Sequence, residues 1–263
     1  VMLTVTDSTR KGYDMEYTFL EFVSDDQIKS EAQNLIGQVM DILNDATVGT
    51  TIRFRTDQYG KIVKYYNLKD IRKQAKEVLT KAISKMPYAD SLRAVGLDSD
   101  KLMSMIDSDD LVDGYTEEIE LLFNYHGDQY KIGETESHED ATEKEYASDT
   151  KTEIWLDPDT YEYGISADVY SYIPREDIKV LLGNLIEYFT DKESAKDVRK
   201  GLDTEFDSQV TTDGVYNSYV RISYFNDGWP QEVVSQDNIS LGDRQKLKQK
   251  YITWDYRSVG HSE

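Results

Sequence analysis

The stretch from Tyr13 to Phe19 reads Tyr-Asp-Met-Glu-Tyr-Thr-Phe, and it decides how the rest of the chain is interpreted. Aromatic and apolar residues occupy its odd positions, with Asp, Glu and Thr between them. Because successive side chains of a β-strand point to opposite faces, this alternation predicts a strand with one buried and one solvated face. Such a strand requires another element of the fold against its apolar side.

Similar alternation recurs on both sides of turn sequences further along the chain. Residues 51–56 and 62–66 flank Asp-Gln-Tyr-Gly at 57–60, and residues 154–156 and 165–170 flank Asp-Pro-Asp at 157–159. Each arrangement predicts a β-hairpin, since Asp and Gly supply the backbone geometry of tight turns. Additional strands are predicted at 216–224, 229–234 and 252–256.

Apolar residues at helical spacing predict long amphipathic helices between these strands. The stripes run over residues 28–43, 68–83 and 178–189, and weaker ones over 102–106, 119–123 and 195–202. The stripe at 178–189 is the most regular, so we expect that helix to be buried against a sheet.

Strands and helices do not alternate regularly, so the expected class is α+β, with an antiparallel sheet packed against long amphipathic helices. We expect residues 13–257 to form a single α+β domain. An N-terminal segment, 1–12, precedes it, with the first strand near Tyr13, and a loose tail, 258–263, follows. The halves 13–125 and 130–257 have similar patterns, which duplication of one half would explain.

Composition excludes several classes of function. The 263 residues include 51 acidic and 30 basic side chains, for a net charge of -21, and no cysteine. This surface repels phosphate backbones, so no nucleic-acid partner is expected. The lack of cysteine excludes disulfides, thiolate metal ligands and thiol nucleophiles. No apolar run is long enough to predict a transmembrane segment, and no motif predicts a cofactor.

One polar cluster is a candidate metal site. Glu134, Glu136 and His138 would project from one face if this part of the chain were extended, and two carboxylates with an imidazole can bind a divalent cation. The alternative is an exposed, charge-rich segment without a ligand. The surrounding stretch, 133–151, has few apolar residues, so it is either a loop or the solvated ends of two paired strands.

The turn sequences Thr56-Asp57-Gln58-Tyr59-Gly60-Lys61-Ile62 and Phe225-Asn226-Asp227-Gly228-Trp229-Pro230 carry a resemblance. In this pattern the chain resembles uncharacterised exported proteins of the Bacteroidetes lipoprotein type. Such families are often similar in shape to periplasmic lipoprotein carriers of the Lol type. The resemblance implies a curved antiparallel sheet around an apolar cavity and an extracytoplasmic, periplasmic or outer-membrane-anchored protein. The lipidated residue would lie upstream of Val1, and no catalytic residues are implied.

The leading functional hypothesis is therefore a non-enzymatic cell-envelope protein that binds an apolar or lipid-like ligand or an envelope partner. The alternative is a secreted hydrolase acting on glycans or peptides through surface carboxylates, of which the sequence singles out no pair. A third class is a structural or adhesive subunit that pairs hairpin edges with another chain.

Overall fold

The computed structural model describes residues 1–22, 47–85, 108–142, 145–189, 200–201, 204 and 206–255. The chain divides into two compact units, Val1–Asp128 and Gln129–Glu263. The helices predicted over 28–43, 102–106 and 195–202, and the tail 258–263, lie outside the described residues, apart from residues 200 and 201.

The first unit contains a four-stranded antiparallel sheet with its strands in sequence order. They are β1 (Met2–Thr9), β2 (Gly12–Thr18), β3 (Thr51–Thr56) and β4 (Ile62–Tyr65). Among the described residues, two helices follow, α1 (Leu68–Lys85) and α2 (Ser108–Phe123), and they contact each other. The segment 1–12 thus includes a strand, so the expectation that the first strand begins near Tyr13 is wrong.

The apolar side of β2 and β3 forms the core of this unit, as the alternation predicted. Met15, Tyr17, Ile52 and Phe54 are buried, and the ring of Phe54 lies 5.7 Å from that of Phe123 in α2, centroid to centroid. Further buried side chains come from the two helices: Ile71, Ala75, Thr116, Ile119 and Leu122.

Local hydrogen bonds fix the hairpin and the first helix. Asp57 accepts hydrogen bonds from the backbone N–H groups of Tyr59 and Lys61 at 2.8 and 2.9 Å, and Gly60 takes the left-handed conformation, with φ of 88°. The side chain of Asn67, just before α1, bonds to the backbone of Arg53 and Thr51 in β3. That side chain therefore connects the start of the helix to the sheet.

The second unit contains a six-stranded sheet in which every neighbouring pair is antiparallel. Its order is β10-β9-β8-β7-β6-β5. The strands are β5 (Gly133–Glu139), β6 (Ser148–Leu156), β7 (Tyr163–Ile173), β8 (Gly214–Tyr224), β9 (Pro230–Leu241) and β10 (Arg244–Thr253). Helix α3 (Arg175–Phe189) follows β7. Ile165, Ile222 and Val233 lie side by side and are buried, and we call their side of the sheet the inner face.

The start of α3 is connected to residues 206–213 through Arg175. Its guanidinium donates to the Val210 carbonyl at 2.5 Å, bonds to Asp207 and lies over the Phe206 ring. The backbone N–H of Arg175 donates to Asp213 at 2.9 Å. Lys179 and the Arg175 guanidinium hold the pKa of Asp207 below its usual value. These contacts, with the approach of Ile178 to Gly214, position the helix beside β8.

Several tyrosine hydroxyls donate hydrogen bonds to carboxylates in the described part of the chain. Burial and the neighbouring carboxylate together raise the pKa of Tyr17 and of Tyr65 well above the usual value. Such pairs include Tyr17–Glu118, Tyr65–Glu120, Tyr66–Asp14, Tyr172–Asp149, Tyr216–Asp237 and Tyr251–Glu232.

The predicted fold class requires a correction. The antiparallel arrangement is confirmed, but one curved sheet packed against long amphipathic helices is wrong. The described residues form two separate antiparallel sheets with ten strands in all, and their helices are short, 15 to 18 residues. Strands β1, β5 and β10 expose nearly every side chain, so hydrophobic patterns underestimate the β-content. Helix α3 is less buried than expected, since Leu181 is 60% exposed.

Candidate functional site

The three predicted metal ligands lie on β5, an edge strand of the six-stranded sheet, at alternating positions. An Oε2 atom of Glu134 lies 3.2 Å from Nζ of Lys151, and Nδ1 of His138 lies 2.6 Å from Oδ1 of Asp149. Among the residues that the structure describes, no three His, Asp or Glu side chains form a group that could hold a metal ion. Metal binding by Glu134, Glu136 and His138 stays a prediction.

Glu134, Glu136 and His138 lie on one side of the six-stranded sheet, which we call the open face. Side chains alternate between the two sides of a strand, so the open face consists of the positions next to Ile165, Ile222 and Val233, whose side chains are on the inner face. On β7, β8 and β9, every residue of this face except Gly164 is at least partly exposed. Its central members are Ser166, Asp168, Tyr170, Tyr172, Val215, Asn217, Tyr219, Arg221, Val234, Gln236 and Asn238.

Two carboxylates organise the polar groups of the open face. Asp149 accepts hydrogen bonds from the Tyr172 hydroxyl at 2.8 Å and from His138 at 2.6 Å. Asp168 accepts from the amide of Asn217 at 2.5 Å. Each bond crosses between strands, so the side chains are held in place by neighbours rather than by their own strand alone.

Hydrogen bonding shifts the proton affinities in the Asp149 cluster. The bonds from His138 and then Tyr172 hold the pKa of Asp149 below its usual value. The bond to Asp149 raises the pKa of His138, and it also raises that of Tyr172. The carboxylate is therefore stabilised in its charged form, with protonated donors around it.

Aromatic rings lie among these polar groups. Tyr170 and Tyr172 are 40% and 41% exposed on β7, and Trp155 on β6 is half-buried. The Trp155 ring packs against Gly164, where a larger residue would overlap the indole, and the Arg221 guanidinium lies 5.7 Å from the ring centroid. The open face thus combines apolar ring surface with fixed hydrogen-bonding groups.

Sequence reasoning found the edge of this surface but not its centre. The alternation of Ser166, Asp168 and Tyr170 was recognised as the polar side of a strand, yet polar positions of separate strands were not combined into one surface. Asp149 was missed as the shared partner of His138 and Tyr172, because the register of β5, β6 and β7 is not visible in local sequence. The apolar register set Ile154, Ile165 and Ile222 could have supplied it.

Comparison with protein-family models, curated proteins and solved structures found no match to this chain. In the described ranges, no helix has the length and apolar character needed to cross a membrane. The resemblance to exported lipoproteins therefore stays a prediction.

Proposed function

We propose that this chain is a non-enzymatic binding protein and that the open face of its six-stranded sheet recognises a protein partner. The observation that carries the proposal is the exposure of Tyr170 and Tyr172 on β7, an inner strand of a sheet face whose polar side chains are fixed by cross-strand hydrogen bonds. Tyrosine is enriched in protein interfaces because its ring buries apolar area while its hydroxyl still forms a hydrogen bond.

The size of the open face fits this role. Six strands give five spacings of about 4.8 Å, and eight residue steps from Gly164 to Tyr172 at about 3.4 Å give the other dimension. The resulting area of roughly 650 Å² approaches the ~800 Å² that each partner buries in a standard protein interface. A partner covering this face would thus bury enough surface for a specific complex.

Fixed polar groups favour binding further. Asp149 and Asp168 have their donors in place before any partner arrives. Side chains that are already ordered lose less conformational freedom on association, and this lowers the entropic cost of binding. The charged Asp149 also suits recognition of a basic or hydrogen-bond-donating surface.

Among the described residues, the three carboxyls whose pKa is shifted do not have the direction of shift that the acid of a glycosidase needs. A glycosidase needs a carboxylic acid whose pKa is raised so that it can donate a proton. The carboxyls of Asp149, Asp157 and Asp207 are shifted in the opposite direction by their donors. An extracytoplasmic location forms part of the proposal and rests on the resemblance alone, and a lipid-like ligand is the competing prediction.

Site-specific crosslinking tests the proposal. A photoreactive amino acid placed at Tyr170 should capture a defined protein in the native cells, whereas the same group at Tyr59 should not. Tyr59 is the matched control because it is 65% exposed but lies on the 57–60 turn of the other unit. Once the partner is identified, Tyr170→Ala with Tyr172→Ala should weaken its binding about tenfold or more.

Two results would contradict the proposal. Equal capture at both positions would show non-specific contact, and an unchanged affinity in the double variant would remove the open face from the interface. Native mass spectrometry of gently purified protein provides a separate check. A stoichiometric apolar ligand would favour the lipid-binding hypothesis instead.

A further inference from the structure

The six-stranded sheet has two edge strands, β5, which carries Glu134, Glu136 and His138, and β10. Strand β10 pairs with β9 on one side, and within the described residues no strand pairs with its outer side. An edge strand presents backbone N–H and C=O groups to which an extended peptide can add as another strand. The edge is ten residues long, which is enough for a stable β-pairing.

Basic side chains recur on one face of this edge strand. Arg244, Lys246, Lys248 and Lys250 occupy alternate positions, opposite Leu241, Ile239, Asp237 and Ser235 of β9. No acidic residue occurs in β10, although the chain carries a net charge of -21. Alternate residues of a strand are about 7 Å apart, so the four side chains form a regular row, which we call the basic row.

The opposite face of β10 has a different character. Leu247 and Tyr251 are exposed there and alternate with Gln245 and Gln249. A peptide strand added at this edge would therefore meet basic side chains on one face, and apolar and amide side chains in alternation on the other. The complementary peptide has acidic residues at every second position and apolar residues between them.

We propose that the outer edge of β10 binds an extended acidic segment of another protein by β-strand addition. The basic row repels a second β10 edge, since like charges directly opposite each other destabilise strand pairs, while it attracts alternating carboxylates. Charge screening over about 8 Å at physiological salt lets a short acidic strand respond mainly to the basic row and to Asp237, which lies opposite Lys248, rather than to the net charge of the whole chain. A long polyanion such as nucleic acid would also meet the acidic remainder of the surface.

Fluorescence anisotropy on the full chain tests this proposal. The probe is a labelled nonapeptide in which Glu alternates with Val and Thr, compared with a peptide of the same composition whose Glu residues form one block. We expect the alternating peptide to bind at least about tenfold more tightly, because only its carboxylates match the basic row. Methylation of every second backbone nitrogen of the alternating peptide should abolish binding when the methylated nitrogens are those that would donate hydrogen bonds to β10.

Charge-reversal variants locate the site. Lys246→Glu with Lys248→Glu should weaken binding of the alternating peptide about tenfold or more. The matched control, Lys73→Glu with Lys76→Glu, makes the same charge change at exposed positions of α1 and should leave binding unchanged. Circular dichroism and the Tm of both variants verify that they fold, which is expected because both β10 positions are exposed.

Three outcomes would overturn the proposal. Equal binding of the alternating and block peptides would indicate unspecific charge attraction, and equal losses in both charge-reversal variants would remove the role of β10. Tighter, lysine-dependent binding of a nucleic-acid duplex would assign the row to a different ligand. Tyr170 and Tyr172 lie on β7, three strands away from β10, so Tyr170→Ala with Tyr172→Ala should leave peptide binding intact even if the proposed function fails.

Discussion

Replacing Tyr17 by Phe should measure how strongly the sheet and helix α2 of the first unit are connected. Tyr17 is 1% exposed, and its hydroxyl donates to the carboxylate of Glu118. The substitution removes only the hydroxyl, so the ring contact with Phe19 at 5.4 Å is retained. A hydrogen bond to a charged group contributes about 1.5–3 kcal/mol, and we expect the free energy of unfolding to fall by that amount.

Urea titration at pH 7 measures the loss, and a double-mutant cycle with Glu118→Gln assigns it to the pair. The matched control is Tyr59→Phe, which removes a hydroxyl from an exposed ring and should change stability by less than about 0.5 kcal/mol. A coupling energy near zero in the cycle would refute the reasoning, since the hydroxyl would then contribute nothing through Glu118.

The pH dependence of the same variant has a definite sign. The pKa of Tyr17 is raised in the folded protein, so its contribution to stability is fully present below the unfolded value of 10.0 and is lost as pH rises toward the folded pKa. The stability difference between wild type and Tyr17→Phe should therefore shrink above pH 10. A difference that stays constant to pH 11 would contradict burial of the protonated hydroxyl.

Three further changes test other parts of the structure. Asp149→Asn should lower the pKa of His138 toward 6.5 in an NMR titration, and by more than Asp140→Asn does. The fold raises the pKa of His138 and lowers that of Asp149, so the pair should stabilise the folded protein most between about pH 3.8 and 6.5. An unchanged pKa of His138 in Asp149→Asn would disprove the contact. Gly164→Ala should lower the free energy of unfolding by about 1–3 kcal/mol, because the new Cβ would overlap the Trp155 indole and lie 2.7 Å from the Ile222 carbonyl oxygen. The control, Gly114→Ala in α2, meets open space and should raise the free energy of unfolding by about 0.5–1 kcal/mol. Equal effects of the two substitutions in urea titrations would contradict the packing. A divalent cation bound by Glu134, Glu136 and His138 would have to displace Lys151 from Glu134. If the site exists, Zn²⁺ should raise the Tm, and the rise should be larger in Lys151→Ala, which lacks this competitor. No rise in either protein excludes the site.

Local patterns predicted the strands whose alternation includes large apolar side chains. Met15, Tyr17 and Phe19 are buried as expected, and the turn at Asp57–Gly60 joins two paired strands. Of the two interpretations of residues 133–151, paired strands are confirmed for 133–139 and 148–151. These predictions succeeded because burial of one face dictates both the side-chain period and the register.

Strands without such burial escaped detection. Residues 244–250 of β10 carry one apolar side chain, Leu247, so their pairing with β9 is decided by backbone hydrogen bonds and register rather than by hydrophobic period. In β1, Leu3 and Val5 alternate with threonines, and this alternation would have sufficed to predict the strand. The open face depends on register across five strand pairs, which short-range patterns do not specify.

The tyrosine–carboxylate pairs have a consequence for a chain with 51 acidic and 30 basic residues. Cations are too few to neutralise every carboxylate, but a phenol supplies a proton without adding charge, and the chain has 20 tyrosines. Bonds from neutral donors are screened by salt far less than ion pairs. The protein can therefore keep its strong negative surface potential, which favours solubility, and still give half-buried carboxylates a donor across a wide range of ionic strength.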